Sequence, residues 1–490
     1  MTTMRKPLLV LILLSLGGCF AMPEIKQPHT ELPAAWPEGQ AQAPVATDWW
    51  KAYGDPALDA LIEEALAHNT DIRLAAARID EARANLGLAR ADQYPSAQIG
   101  AQAGRTRQTA VGSFPIPTPT NNDFKVNLQA AYEVDLWGRY RAATEAARAD
   151  LLATEYAREV VRTSLTSDVA KGYFALRALD AQLELARQTR DNRKAAVDLQ
   201  RLRFDGGVSS ELDLRQAEAE LAATDAAIAQ LTQSARLQEH ALTQLLGRSP
   251  RAIVEQTVAR GAASLANLNE PPSVPAGLPS ELLERRPDLR QAEQVLLSAQ
   301  ARIGEAKAAL YPDLSLTGFL GSESKHLGDL FSGPATIWGL TAGLVQTVFN
   351  AGRTEAGIQG ADARQTEALV GYDKAVQQAF REVLDALVAH RQARELGAAD
   401  QRRAAALTRA LELAELRYTN GVDNYLQVLD AQRNLYQAQQ DAIDARRAEL
   451  AATADLIKSL GGGWSGVVAD DPAGSFKLER SPGLALPKAE

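Results

Sequence analysis

The sequence predicts a mixed fold, a transmembrane β-barrel continued by an α-helical barrel, assembled from several copies of the chain. Three observations predict it. The chain is duplicated, each half carries long apolar–polar alternation, and each half carries a proline-free helical span too long for an ordinary globular core. The duplication comes first, because a missed repeat misassigns the whole fold. Asp71-Ile72-Arg73-Leu74-Ala75 leads through an alanine-rich stretch to Tyr94-Pro95, and Asp288-Leu289-Arg290-Gln291-Ala292 leads to Tyr311-Pro312, 217 residues later at both ends. Arg203-Phe204-Asp205-Gly206-Gly207-Val208 matches Arg417-Tyr418-Thr419-Asn420-Gly421-Val422, and Trp137-Gly138-Arg139 matches Ala351-Gly352-Arg353, both at an offset of 214.

Residues 1–18 have the shape of a secretory signal: Arg5 and Lys6 precede an apolar run, residues 8–16, too short to span a bilayer as a helix. The segment closes on Leu16-Gly17-Gly18-Cys19, which resembles the bacterial lipobox, in which the cysteine becomes the lipidated first mature residue. Cys19 is the only cysteine in the chain, so no disulfide is available and an anchor is the expected role. An incidental thiol behind a plain signal peptide is the alternative. Phe20 follows, where Asp would favour retention at the inner membrane. No later segment reaches roughly 18 consecutive apolar residues, so a membrane crossing has to be made by strands.

The alternation decides where those strands are. Phe124, Val126, Leu128, Ala130, Tyr132, Val134 and Leu136 alternate with polar or small residues through Trp137, the period of a half-buried strand. The span 124–137 exceeds the roughly 9–11 residues that cross a bilayer with tilt. In the second half, residues 337–349 place Trp338, Leu340, Ala342 and Leu344 on one side, with Gly339, Thr341 and Gly343 on the other. Each stretch has a partner before it, Ser96 to Gly104 in one half and Asp313 to Leu320 in the other. Pro115, Pro117, Pro119, Asn121 and Asn122 mark one connection, and Gly328, Ser332, Gly333 and Pro334 the other. A small soluble sheet with one wet face is the alternative on this pattern alone. If the strands cross lipid, four cannot close a barrel, and open edges would leave backbone groups unpaired. Closure must then come from other copies. Two copies give eight strands with a filled interior; three give twelve and a bore. The small and polar faces of Ser96, Gly100, Gln102, Gly104, Thr341 and Gly343 favour three.

Helical spacing takes over after Gly138. Val169, Gly172, Leu176, Leu179, Leu183 and Ala186 step by three and four, as do Val376, Phe380, Val383 and Leu387, the seam of a coiled coil. No proline falls in 139–203 or 353–417, spans of about 97 Å if wholly helical. Glycine or asparagine in Gly206-Gly207 and Asn420-Gly421 supplies the stop. Helices over 211–247 and 424–460 return, and shorter ones over 55–91 and 280–310 are expected to stack on the returning ones.

Net charge is −9 with no sustained basic run, so no nucleic-acid partner is expected. The five histidines are scattered, and no phosphate loop, nucleophile elbow or HExxH occurs. No enzyme, metal site or cofactor is therefore expected.

The duplicated Tyr-Pro before a strand, Asp135-Leu136-Trp137-Gly138-Arg139, the paired turns and Leu460-Gly461-Gly462-Gly463-Trp464 together resemble the bacterial outer membrane efflux proteins. The likeness is to the lipidated OprM/NodT branch of TolC-like proteins, over about residues 49–464. It implies a homotrimer in which each chain gives four strands to a twelve-strand outer membrane barrel and two helical hairpins to a tunnel across the periplasm. It implies a passive duct exporting drugs or toxic small molecules, with a periplasmic adaptor (membrane fusion) protein and an RND-type or other inner-membrane pump as partners. Residues 19–54 then form a lipid-anchored arm and part of an equatorial belt, completed by 248–279 and 461–490. Residues 55–94 with 139–247, and 280–311 with 353–460, form the helical barrel; 95–138 and 312–352 form the hairpins. By the same resemblance Leu426 and Asp430 ring the axis as a periplasmic gate, with Arg417 and Arg433 as basic neighbours. The tips Gly206, Gly207, Val208, Asn420, Gly421 and Val422 are the implied adaptor contacts. In the first repeat Leu212 and neutral Gln216 stand where Leu426 and Asp430 stand in the second. A duct for polypeptides or metal ions, or a lipid-anchored structural coiled coil, are the other readings.

Overall fold

A computed structural model describes residues 33, 36, 46–109, 120–269 and 281–465. Cys19, the signal segment and most of the expected arm lie outside the described residues, as do part of the linker within 248–279 and most of the 461–490 tail.

The four strands β1 (Ser96–Arg107), β2 (Thr120–Val134), β3 (Asp313–Ser324) and β4 (Thr336–Val345) form one antiparallel sheet in chain order. The two expected hairpins are thus joined through β2 and β3, in a register that pairs Leu128 with Ile99 and with Leu320, and Leu320 with Trp338. Paired residues share a face, so the period-two pattern becomes two-dimensional. One face carries Ile99, Leu128, Leu320, Trp338, Leu340 and Leu344, all exposed, with Trp338 at 75% and Leu340 at 80%. The opposite face is largely polar or small: Gln98 bonds Gln129 at 3.0 Å and Lys125 pairs with Glu323 at 3.4 Å, with Phe319, Ile337 and Val345 as its large apolar side chains. Both long strands end earlier than the alternation suggests. Asp135 leaves the ladder to accept from the Arg141 backbone N–H at 3.0 Å, and Trp137 turns to stack on Tyr311 at 4.7 Å. In the second half, the ladder stops at Val345, and Gln346 donates instead to the Leu310 carbonyl at 3.2 Å.

Each expected short helix is two helices. The first half gives α1 (Pro56–His68) and α2 (Thr70–Ala91); the long α3 (Arg139–Asp205) and the returning α4 (Glu211–Leu245) follow, then the six-residue α5 (Pro250–Glu255). The second half gives α6 (Leu282–Arg285), α7 (Pro287–Ala308), α8 (Arg353–Thr419) and α9 (Tyr425–Ser459). The breaks have local causes. The Asn69 side chain caps α2 by accepting from the N–H groups of Asp71 and Ile72. In the second half Pro287 forces Arg286 out of the helical region.

These breaks are joints at which a short helix meets a returning helix end to end. Asn69 Nδ2 donates to the Leu245 carbonyl at 2.8 Å, and Arg286, its repeat equivalent, donates to the Ser459 carbonyl at 3.0 Å. The backbones approach so closely that a Cβ on Gly247 would lie 2.2 Å from the His68 oxygen, and one on Gly461 2.6 Å from the Arg285 oxygen. Both glycines also take left-handed φ, +69° and +75°. The arithmetic of the wall follows. α4 and α2, of 35 and 22 residues, span about 86 Å together, against about 100 Å for the 67-residue α3 beside them.

A collar surrounds the first joint. Trp49, Trp50 and Tyr53 pack with Leu58, Val169, Phe174, Leu242 and Leu246, and the Tyr53 hydroxyl donates to the Leu450 carbonyl at 3.1 Å. Residues 256–269 are pinned to it: Glu239, buried, accepts from the Val258 N–H at 3.0 Å and from Arg260 at 2.6 Å. Burial pushes the Glu239 carboxyl up, but the Val258 N–H and Arg260 outweigh it and hold it below the usual glutamate range. Its contribution is full above the free glutamate value of about 4.3 and is lost only as pH falls through the lower folded value. The Val258 amide should therefore stay protected from hydrogen exchange through mild acidification and open below it, while Glu239→Gln should abolish that pH dependence. A second contrast lies at the joints. Arg286 is buried and pairs with Asp288 and Glu382, both at 2.7 Å. Arg286→Ala strands these carboxylates and should lower stability by about 3 kcal/mol or more, Asn69→Ala by about 1 kcal/mol, read as denaturation midpoints in detergent.

Candidate functional site

The end of the helices remote from the sheet carries the candidate residues. α3 and α8 stop at matched turns in which Val208 N–H bonds the Arg203 carbonyl at 2.8 Å and Val422 N–H the Arg417 carbonyl at 2.9 Å. Gly207 and Gly421 supply the left-handed φ of +70° and +69°. Asn420 does not: its φ is −87°, and its amide instead caps the Leu416 carbonyl at 2.6 Å. Val208 and Val422 stand exposed at the two apices.

Leu426 and Asp430 lie in the first turns of α9, four residues apart on one face. The seam between the two hairpins is built by others: Val197, Leu214 and Ala217 from the first, Tyr425, Val428 and Leu429 from the second. Leu426 is left out of it at 41% exposure, as is Leu212 in the first repeat. Asp430 is paired with Arg433 at 3.4 Å. Arg417, expected beside it, is committed elsewhere, clasped to Asp423 across the turn, and holds that carboxyl below the usual aspartate range.

Sequence reasoning missed the contacts that tie the hairpins together. The Tyr418 hydroxyl accepts from Gln200 and Arg203, each at 2.9 Å, with the Arg203 guanidinium over its ring at 5.0 Å. Glu220 pairs with Arg193 of its own hairpin at 3.1 Å and accepts from Arg433 of the other at 2.7 Å. A signal was present. At the 214-residue offset Tyr418 faces Phe204, Gln200 faces Ala414, Arg193 faces Leu407 and Glu220 faces Asn434. The repeats diverge where they touch.

A family model described as outer membrane efflux protein matches residues 61–248 and 278–462, one segment per repeat. The chain belongs to the outer membrane efflux protein family. This efflux protein is 36% identical over 469 residues to the toluene efflux pump outer membrane protein TtgI of Pseudomonas putida, covering 94% of this chain and 98% of that one. It is 33% identical to the cation efflux system protein CusC of Escherichia coli, with 92% and 98% covered. The crystal structure of the Campylobacter jejuni CmeC outer membrane channel superposes with a TM-score of 0.87 at 26% identity, over 92% of this chain and 97% of that one. The fold is that of TolC-like channels, and the protein is an outer membrane efflux channel.

The tip contacts give a specific expectation. Tyr418→Phe, which copies the first repeat, and Glu220→Gln should each loosen the contact between hairpins by about 1 kcal/mol. Hydrogen exchange should rise about fivefold in residues 200–216 and 418–430, while the joints at Asn69 and Arg286 stay unchanged.

Proposed function

We propose that three copies of this chain form the passive exit duct of a tripartite efflux pump, carrying small molecules such as drugs or toxic compounds outward. One observation carries the reading. The sheet has an apolar face, a polar face and two edge strands, β1 and β4, with no partner among the described residues. In lipid such edges cost several kcal/mol per unpaired group, and three copies supply twelve strands around a polar bore. Lipidation at Cys19 would hold the assembly at the outer membrane. A periplasmic adaptor and an RND-type or other inner-membrane pump would dock at the tips, Gly206-Gly207-Val208 and Asn420-Gly421-Val422, and supply the drive.

The duct is closed at rest by Leu426 and Asp430 of each copy. Three leucines make a dry constriction, and three carboxylates repel one another by roughly 1 kcal/mol per pair at about 4 Å in water. Arg433 offsets part of that charge and is itself held by Glu220. The names of the relatives cover solvents and cations, which supports a wide duct whose cargo is selected by the pump it serves. In planar bilayers the wild-type trimer should conduct weakly and Asp430→Ala several-fold more. No conductance from either removes the duct; equal conductance removes the gate.

A further inference from the structure

The apolar face of the sheet changes character at one height. Along β2 it carries Phe124, Val126, Leu128, Ala130, Tyr132 and Val134. No residue paired with these on β1 or β3 is charged, nor is any on that face of β4. Val134 and Phe124 are ten residues apart, about 33 Å of strand. At a tilt of about 40° that is about 25 Å of height, the apolar band of an outer membrane barrel. The next two positions up this face of β1 are Arg105, opposite Asn122, and Arg107, opposite Thr120. They stand at the hairpin end, away from α3 and α8, which in an outer membrane channel is the exterior. Both are exposed, and neither has an ion pair with a described residue. The nearest acids on the sheet, Asp123 and Glu323, lie on the other face, where Lys125 takes Glu323.

We propose that Arg105 and Arg107 hold the phosphate groups of an anionic lipid, the phosphorylated glycolipid of the outer leaflet. Height is the first argument. A lipid-facing arginine is costly at the bilayer midplane and nearly free at the interface, and these two sit about 5 and 10 Å above the band. Chemistry is the second. A guanidinium stays charged and binds phosphate through two parallel N–H bonds. Two of them about 7 Å apart on one face repel each other until an anion lies between them. Shape is the third. Ala101 and Ala103 stand directly below the pair, beside Val126 and Phe124, a shallow apolar strip that suits acyl chains. Hydration alone, or the exposed Asp329 of a neighbouring copy, would also satisfy the arginines, but neither uses the strip beneath them. The inference rests on the sheet crossing the outer membrane with this face to lipid.

The test is the affinity of the full-length protein in detergent for purified lipopolysaccharide, read by titration. Arg105→Gln combined with Arg107→Gln should weaken binding by about tenfold or more. Lys125→Gln, which removes a charge from the other face, should leave it unchanged. Lipopolysaccharide stripped of its phosphates should bind the unmutated protein as weakly as the intact lipid binds the double variant, and this arm needs no variant to fold. Equal affinities of wild type and double variant overturn the proposal and return the pair to water or to Asp329 of a neighbouring copy. Undiminished binding of the dephosphorylated lipid overturns it too. So does displacement of the lipid by millimolar inorganic phosphate, which would mark a site for free anions. Conductance is measured on the same preparations. Equal affinities in a conducting protein remove the lipid site alone, whereas absence of conductance removes the duct and leaves the affinities to be read as before.

Discussion

The structure depends on one constraint: backbone hydrogen-bonding groups cannot be left open in lipid. A four-stranded sheet whose register collects most of its large apolar side chains on one face is a fragment of something closed. Both its edges ask for another strand, and the nearest identical strands belong to other copies. The polar opposite face then lines a passage. The helices inherit this arrangement, because α3 and α8 leave the sheet at Arg139 and Arg353 and continue in one piece for 67 residues each.

The duplication solves a wall-building problem. A long helix needs a neighbour along its whole length, and the chain supplies one in two pieces that meet end to end. The joints use the same geometry with different chemistry. Asn69 caps and bridges as a neutral amide; Arg286 bridges without capping, as a buried cation held by Asp288 and Glu382. The two halves thus serve as equal struts while remaining chemically distinct. That distinction is greatest at the tip, where Tyr418, Gln200, Arg193 and Glu220 have no counterparts in the opposite repeat and make the contacts between hairpins.

Much of this was legible in the sequence, for physical reasons. Strand faces follow from a period of two, and the long helices from heptad spacing without proline, so both sheet faces and both hairpins were readable residue by residue. Element ends were not. Asp135, Trp137 and Asn69 each leave their pattern to make a side-chain bond whose partner is distant in sequence or set by the turn itself. Within the tip, Leu426 and Asp430 came from resemblance, and the structure leaves Leu426 outside its own seam. Arg417 was expected beside Asp430, yet a closer carboxylate, Asp423, takes it. The Glu220–Arg433 and Tyr418–Gln200 contacts join residues more than 200 apart, which no local pattern reveals; comparing the repeats with each other would have marked them.

The most direct test of edge closure is a disulfide scan between copies. In one chain β1 and β4 lie at opposite edges, three strand spacings or about 14 Å apart, too far for an internal bond. Ile99→Cys on β1, combined in turn with cysteine at Trp338, Leu340 or Ala342 on β4, should in at least one register give covalent dimers and trimers and nothing larger. Bonds at no register, or a ladder running beyond three, would contradict a closed ring of three copies.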